Sequence, residues 1–184
     1  MIGRKLVQCL VVVAAVAVSA ASADAQRSRA ANTQAHDGLW FSGGLGYGSL
    51  GCDNCGSREG GMTGDLAFGT TISQRLLVGV GASAWSKSDQ GARLTISTLD
   101  ARVRFYPSTT GGFFVTGGLG LGSARGDFGG FSETQNGIGT VLGLGWDIRV
   151  AKNTSITPYW NGFAMRSNDI NANVAQAGIA VTLH

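Results

Sequence analysis

Residues 113–123 read Phe113-Phe114-Val115-Thr116-Gly117-Gly118-Leu119-Gly120-Leu121-Gly122-Ser123. One parity carries Phe113, Val115, Gly117, Leu119 and Leu121; the other contains Thr116, Gly118, Gly120 and Gly122. Successive side chains of a strand point to opposite faces, so this is a strand with one bulky apolar face and one nearly bare face. A soluble sandwich also alternates, but its water-facing side should be rich in Lys, Glu and Thr. Glycine weakens an exposed strand and has no side chain to shield it. A bare face makes sense where space is scarce, inside a narrow eight-stranded barrel whose bulky face meets lipid.

The same pattern extends in both directions. Eight runs alternate with period two: Leu39–Leu50, Gly61–Ile72, Leu76–Ser86, Leu94–Tyr106, Phe113–Ser123, Ile138–Val150, Ile156–Met165 and Asn173–Leu183. Each has about the length of a tilted transmembrane strand. Short connections (residues 73–75, 107–112 and 151–155) alternate with longer or more polar ones (51–60, 87–93, 124–137 and 166–172). This is the plan of an up-and-down antiparallel barrel, with short turns on the periplasmic side and longer loops outside. An even strand count returns both termini to the periplasmic side. The composition agrees: 30 of 184 residues are glycine, 43% are hydrophobic and 14% are charged. There is no Gly-X-Y period, and the apolar content is too high for a disordered linker. A net charge of +3 does not favour nucleic acid as a partner.

The few charges within the runs share the bare parity. Asp100, Arg102 and Arg104 lie opposite Leu99, Ala101, Val103 and Phe105; Asp147 and Arg149 lie on the small face of the sixth run, and Asp65 opposite Leu66 and Phe68. An arginine facing lipid at the midplane costs roughly 2–4 kcal/mol. These six residues are therefore expected to form a lumenal ion-pair network. Gly44, Gly46, Gly79, Gly81, Gly118, Gly120, Gly143, Gly145 and Gly178 share that face and leave it room. Aromatic pairs near the short turns (Trp40-Phe41, Phe105-Tyr106, Phe113-Phe114 and Tyr159-Trp160) suit an interfacial belt, with one ring of each pair on either face.

The chain opens differently. Arg4 and Lys5 precede an apolar stretch to Val18, and Ala23-Asp24-Ala25 fits a small-x-small cleavage site. Residues 1–25 read as a secretory signal peptide, since the uninterrupted apolar run is too short for a comfortable membrane anchor. Residues 26–37 are a polar tail, and residues 38–184 are the barrel.

The opening Gly38-Leu39-Trp40-Phe41-Ser42-Gly43-Gly44-Leu45-Gly46-Tyr47-Gly48 and the closing Gln176-Ala177-Gly178-Ile179-Ala180-Val181-Thr182-Leu183-His184 resemble the small eight-stranded outer-membrane barrels, the outer membrane protein A-like and opacity-type families. The resemblance covers the chain after the tail. It implies an all-β transmembrane barrel in the cell outer membrane, with outer-membrane lipids and the barrel-assembly machinery as partners. That family's assembly signal ends in an aromatic, usually Phe; here Leu183 holds the apolar place and His184 follows. No peptidoglycan-binding domain is expected after the barrel.

Chemical motifs are sparse. Cys52-Asp53-Asn54-Cys55 in the first long loop is read as a local disulfide, Cys52 to Cys55. A redox motif needs a helix start and a zinc site needs two more ligands, and neither is evident. Gly46-x-Gly48-x-x-Gly51 lacks the helix that a dinucleotide fingerprint requires. Arg125-Gly126-Asp127 reads as solvated turn sequence in the third loop. Some such barrels modify lipids, but hydrolase chemistry needs a base beside its nucleophile, and the two histidines are His36 in the tail and His184 at the end. The expectation is a monomeric, non-enzymatic envelope protein with no cofactor and no metal. Its role would be structural or surface-binding through short extracellular loops, with an unidentified extracellular ligand. A small porin-like channel, a surface adhesin and a lipid-modifying enzyme are the alternatives. Protein recovered from the outer membrane is expected to begin at Gln26; mass spectrometry finding residues 1–25 retained would overturn the leader assignment.

Overall fold

The computed structural model describes residues 38–52, 56–89, 91–129, 131–167 and 171–184. The leader, the tail and Cys55 lie outside the described residues. The described chain is all strand and turn: β1 (Leu39–Cys52), β2 (Glu59–Ser73), β3 (Leu76–Asp89), β4 (Ala92–Phe105), β5 (Phe113–Phe128), β6 (Phe131–Trp146), β7 (Ile148–Ala151), β8 (Thr154–Arg166) and β9 (Asn171–Leu183). Each strand pairs antiparallel with its neighbours, and β1 pairs β9 from Phe41–Leu183 to Cys52–Ala172. This last ladder, with the β6–β8 pairing, closes the sheet into a barrel.

β6 and β7 are one stave of an eight-stave barrel, interrupted at Asp147. Gly145 pairs with Tyr159 above the break, and Ile148 with Ile156 below it. The interruption thus spans the positions opposite Thr157 and Pro158, and Pro158, facing Trp146, has no N–H to donate to a ladder. On the other side, the Asp147 N–H donates to the Gly112 carbonyl at 2.9 Å, one step beyond the Phe113–Trp146 pair.

The alternation of the sequence becomes an inside and an outside. On β5, Leu119 and Leu121 face outward and are more than 60% exposed, while Phe114 and Thr116 are buried. Each aromatic pair is split: Trp40, Tyr106, Phe114 and Tyr159 are buried inside, and Phe41, Phe105, Phe113 and Trp160 are exposed outside. Only the outward set is placed to serve as a girdle against lipid.

The strands run further than hydropathy indicates. Residues 87–93 and 124–137 read as loops in the sequence, but β3 and β4 pair up to Asp89–Ala92, and β5 and β6 up to Phe128–Phe131. Arg125-Gly126-Asp127 accordingly lies on β5. The reason is physical: apolar alternation marks only where the wall meets lipid. Backbone pairing continues into water with polar residues on both faces. Replacing outward Leu119 by Arg, about midway up the wall, is expected to cost about 2–4 kcal/mol. Chemical denaturation in lipid vesicles measures this, and an unchanged stability would place position 119 elsewhere.

Candidate functional site

The lumen is filled in three layers. Nearest the short turns, Trp40, Ala67, Leu77, Tyr106 and Phe114 form an apolar cluster. Toward the opposite end, a second cluster includes Leu50, Trp85, Ile96, Phe163 and Met165. Trp85 lies across this layer and donates from Nε1 to the Gly48 carbonyl at 3.1 Å.

Between them sits a charged layer built on β2, β3 and β4. Arg102, 1% exposed, donates from Nε and Nη2 to the two oxygens of Asp100 at 2.9 and 2.8 Å. Its Nη1 reaches both oxygens of Asp65 at 2.9 and 2.8 Å. Ser83 donates to Asp65 at 2.7 Å and accepts from Arg102 Nη2 at 3.1 Å. A planar guanidinium shared by two carboxylates is the arrangement that makes a buried charge tolerable.

Glycine makes the space. In the register, Asp100 lies between Gly81 and Gly120, and Arg102 between Gly79 and Gly118. A Cβ on Gly81 would overlap the Arg102 guanidinium, and one on Gly118 would overlap the Asp100 carboxylate. The side chains therefore lie over the neighbouring backbones, in an interior just wide enough to be filled.

The remaining residues of the expected network are placed differently. The Arg104 guanidinium stacks between aromatic rings, 4.7 Å from the Trp40 centroid and 4.5 Å from that of Phe114. Asp147 accepts from the Tyr106 hydroxyl at 2.6 Å and the Thr157 hydroxyl at 2.5 Å, with His184 Nε2 3.4 Å away. Thr157 continues to Thr182 at 2.8 Å, and Thr182 to Ser42 at 3.0 Å. This chain of hydroxyls ties the break in the sixth stave to the β8–β9–β1 seam. Arg149 lies on β7, half-buried on the same inner parity. Cys52 is the last residue of β1, and its proposed partner Cys55 is outside the described residues. Alternation in the sequence does not mark Ser83, Tyr106, Thr157, Thr182 and His184 as network residues. They are neutral or terminal, and only the register shows which of them reach a carboxylate.

At the end away from the termini, the β3–β4 and β5–β6 hairpins extend the wall. A cavity of about 510 Å³ opens along their inner faces. Lys87 and Glu59 form an ion pair there at 2.5 Å, and Glu59 holds the Lys87 ammonium above its usual pKa. On the outer side, Arg125 pairs with Asp127 at 3.1 Å. The Ser132 hydroxyl and Arg125 hold the Asp127 carboxyl below the usual range.

Residues 10–182 match the family model described as outer membrane protein beta-barrel domain. Among solved structures, Neisserial surface protein A is similar with a TM-score of 0.63 and 15% identity, over 82% of this chain and 99% of that one. The attachment invasion locus protein Ail of Yersinia pestis is similar with a TM-score of 0.59 and 14% identity, over 80% and 99%. The N-terminal β-barrel domain of OprF from Pseudomonas aeruginosa gives a TM-score of 0.51 and 14% identity, over 81% and 100%. No curated protein matches the sequence significantly.

Arg102→Ala leaves two buried carboxylates facing each other and is expected to cost about 3–5 kcal/mol of barrel stability. Neutralising Asp65 and Asp100 in the same chain should recover much of that loss. Denaturant midpoints measure both, and a single variant as stable as the parent would remove the triad from the account.

Proposed function

The chain belongs to the outer membrane protein β-barrel domain family and resides in the outer membrane; from that premise we propose a closed, non-enzymatic barrel that acts at the cell surface through its extended hairpins. One observation carries this reading. The lumen holds two apolar layers with an ion-paired layer between them, and an open concave surface lies beyond them, on the hairpins. A lumen packed with side chains favours a rigid support over a passage for solutes. Rigidity suits a support, because binding residues held on a stiff scaffold lose little entropy on engagement.

Surface binding fits better than a purely structural part in the envelope. Strand pairing carries the β3–β4 and β5–β6 hairpins past the apolar band, which neither lipid nor the seam requires. Attachment to another surface is one form of this role, and one structural neighbour carries the name attachment invasion locus protein. Export through a cleaved leader, a monomeric state and a Cys52–Cys55 disulfide at the end of the first hairpin belong to the same proposal.

Two measurements test it. In planar bilayers the purified barrel is expected to leave conductance at baseline; steady openings that pass salt would favour the porin-like alternative. Shortening the β3–β4 and β5–β6 hairpins should abolish binding to a cell surface and leave heat-modifiable gel migration intact. Undiminished binding by the shortened protein would place the interaction elsewhere.

A further inference from the structure

The cavity between the hairpins has an ordered construction. Three rows of inward-facing residues cross β3, β4, β5 and β6. The lowest row is Trp85, Ile96, Ala124 and Gln135; above it lie Lys87, Leu94, Gly126 and Glu133. The top row includes Asp89, Ala92 and Phe131. The lowest row closes the lumen with buried Trp85, Ile96 and Ala124. The rows above are open: Leu94 is 40% exposed and Phe131 82%. A Cβ on Gly126 would meet nothing within 4 Å, so the middle of the second row is a notch.

Charge divides unevenly around this apolar floor. The ionisable residues that line the cavity are Glu59, Lys87, Asp89, Arg93, Asp127 and Glu133, four acids against two bases. Lys87 is taken up by Glu59 at 2.5 Å. Among the described residues, Asp89 and Glu133 have neither an ion pair nor a hydrogen bond. Two carboxylates thus stand on opposite walls of a cleft whose floor is apolar, Glu133 alone and Asp89 touched by the Lys87 charge only at longer range. Adjacent strands lie about 4.8 Å apart, so the β3 and β6 walls are separated by no more than about 14 Å measured along the sheet. A cleft of about 510 Å³ lies within the size range of small-ligand sites.

We propose that this cleft binds a basic peptide segment, one apolar side chain entering the Gly126 notch against Leu94 and Phe131 while flanking lysine or arginine residues meet Asp89 and Glu133. The inference rests on the surface-binding reading and gives its ligand a chemical class. Complementarity of charge favours a cationic occupant over an acidic or sulfated one, since the walls carry two net negative charges. Exposed apolar area in the same place supplies the burial that rim charges alone do not. The occupant needs no channel, because buried Trp85 seals the floor.

The experiment uses the mature protein in zwitterionic nanodiscs and a fluorescent peptide with Phe between two lysines. Saturable binding that weakens with added salt is expected. Asp89→Asn combined with Glu133→Gln should weaken it about tenfold, and Phe131→Ser by a similar factor. A peptide with glutamates in place of the lysines should not bind. Heat-modifiable migration confirms that each variant is folded. Equal binding to parent and variants, or binding of the glutamate peptide, overturns the proposal. Self-association that depends on Phe131 would overturn it in favour of a second copy as occupant. Conductance recorded on the same preparations separates the two readings. Steady channels with retained peptide binding would overturn the closed barrel alone; silence without peptide binding would overturn the cleft alone.

Discussion

The structure depends on the shared guanidinium of Arg102. A charge at the centre of a narrow barrel is affordable only when its partners are close and its neighbours are small. Asp65 and Asp100 supply the first condition, and glycine on the flanking strands supplies the second. Moving that arginine to the outer face would put it in lipid, and widening its neighbours would expel it. The parity of β2, β3, β4 and β5 is therefore fixed together. Once four staves are fixed, a one-residue slip in any other would turn its bulky side chains into the lumen.

That constraint explains the composition. Glycine is abundant because the interior is full, and charge is scarce because half of each spanning strand faces lipid. It also distinguishes the two ends. Near the termini, Asp147 collects the hydroxyls of Tyr106 and Thr157, and the chain of hydroxyls continues across the closing seam. That end is tied down. At the other end, Trp85 and its neighbours close the lumen, and the β3–β4 and β5–β6 hairpins extend above them.

Much of this was legible in the sequence, and the limits are instructive. Alternation alone placed Leu119 outside and Arg102 inside, because a misplaced residue of either kind is costly. Hydropathy stopped short at the hairpins. Residues 124–137 look like a loop because both faces there are wet, and nothing in their polarity reveals continued pairing. The break at Asp147 has a visible cue in Pro158, but only a known register shows that Pro158 faces Trp146, the residue beside the break. The same holds for Arg104. Its parity was readable, while its stacking between Trp40 and Phe114 depends on which staves are neighbours and at what height. The outer cleft was the least legible feature, since Lys87, Asp89, Leu94, Phe131 and Glu133 come from three strands and form no motif in the chain.

Every second residue of the wall faces outward while Asp65, Asp100, Arg102 and Arg104 face inward. Spin labels placed one at a time from Ile138 to Trp146, in the folded protein in bilayers, test it most directly. Collision with dissolved oxygen should alternate strictly, high at Ile138, Thr140, Leu142, Leu144 and Trp146 and low at the residues between them. A profile without period two, or one with its maxima on Gly139, Val141, Gly143 and Gly145, would contradict the account.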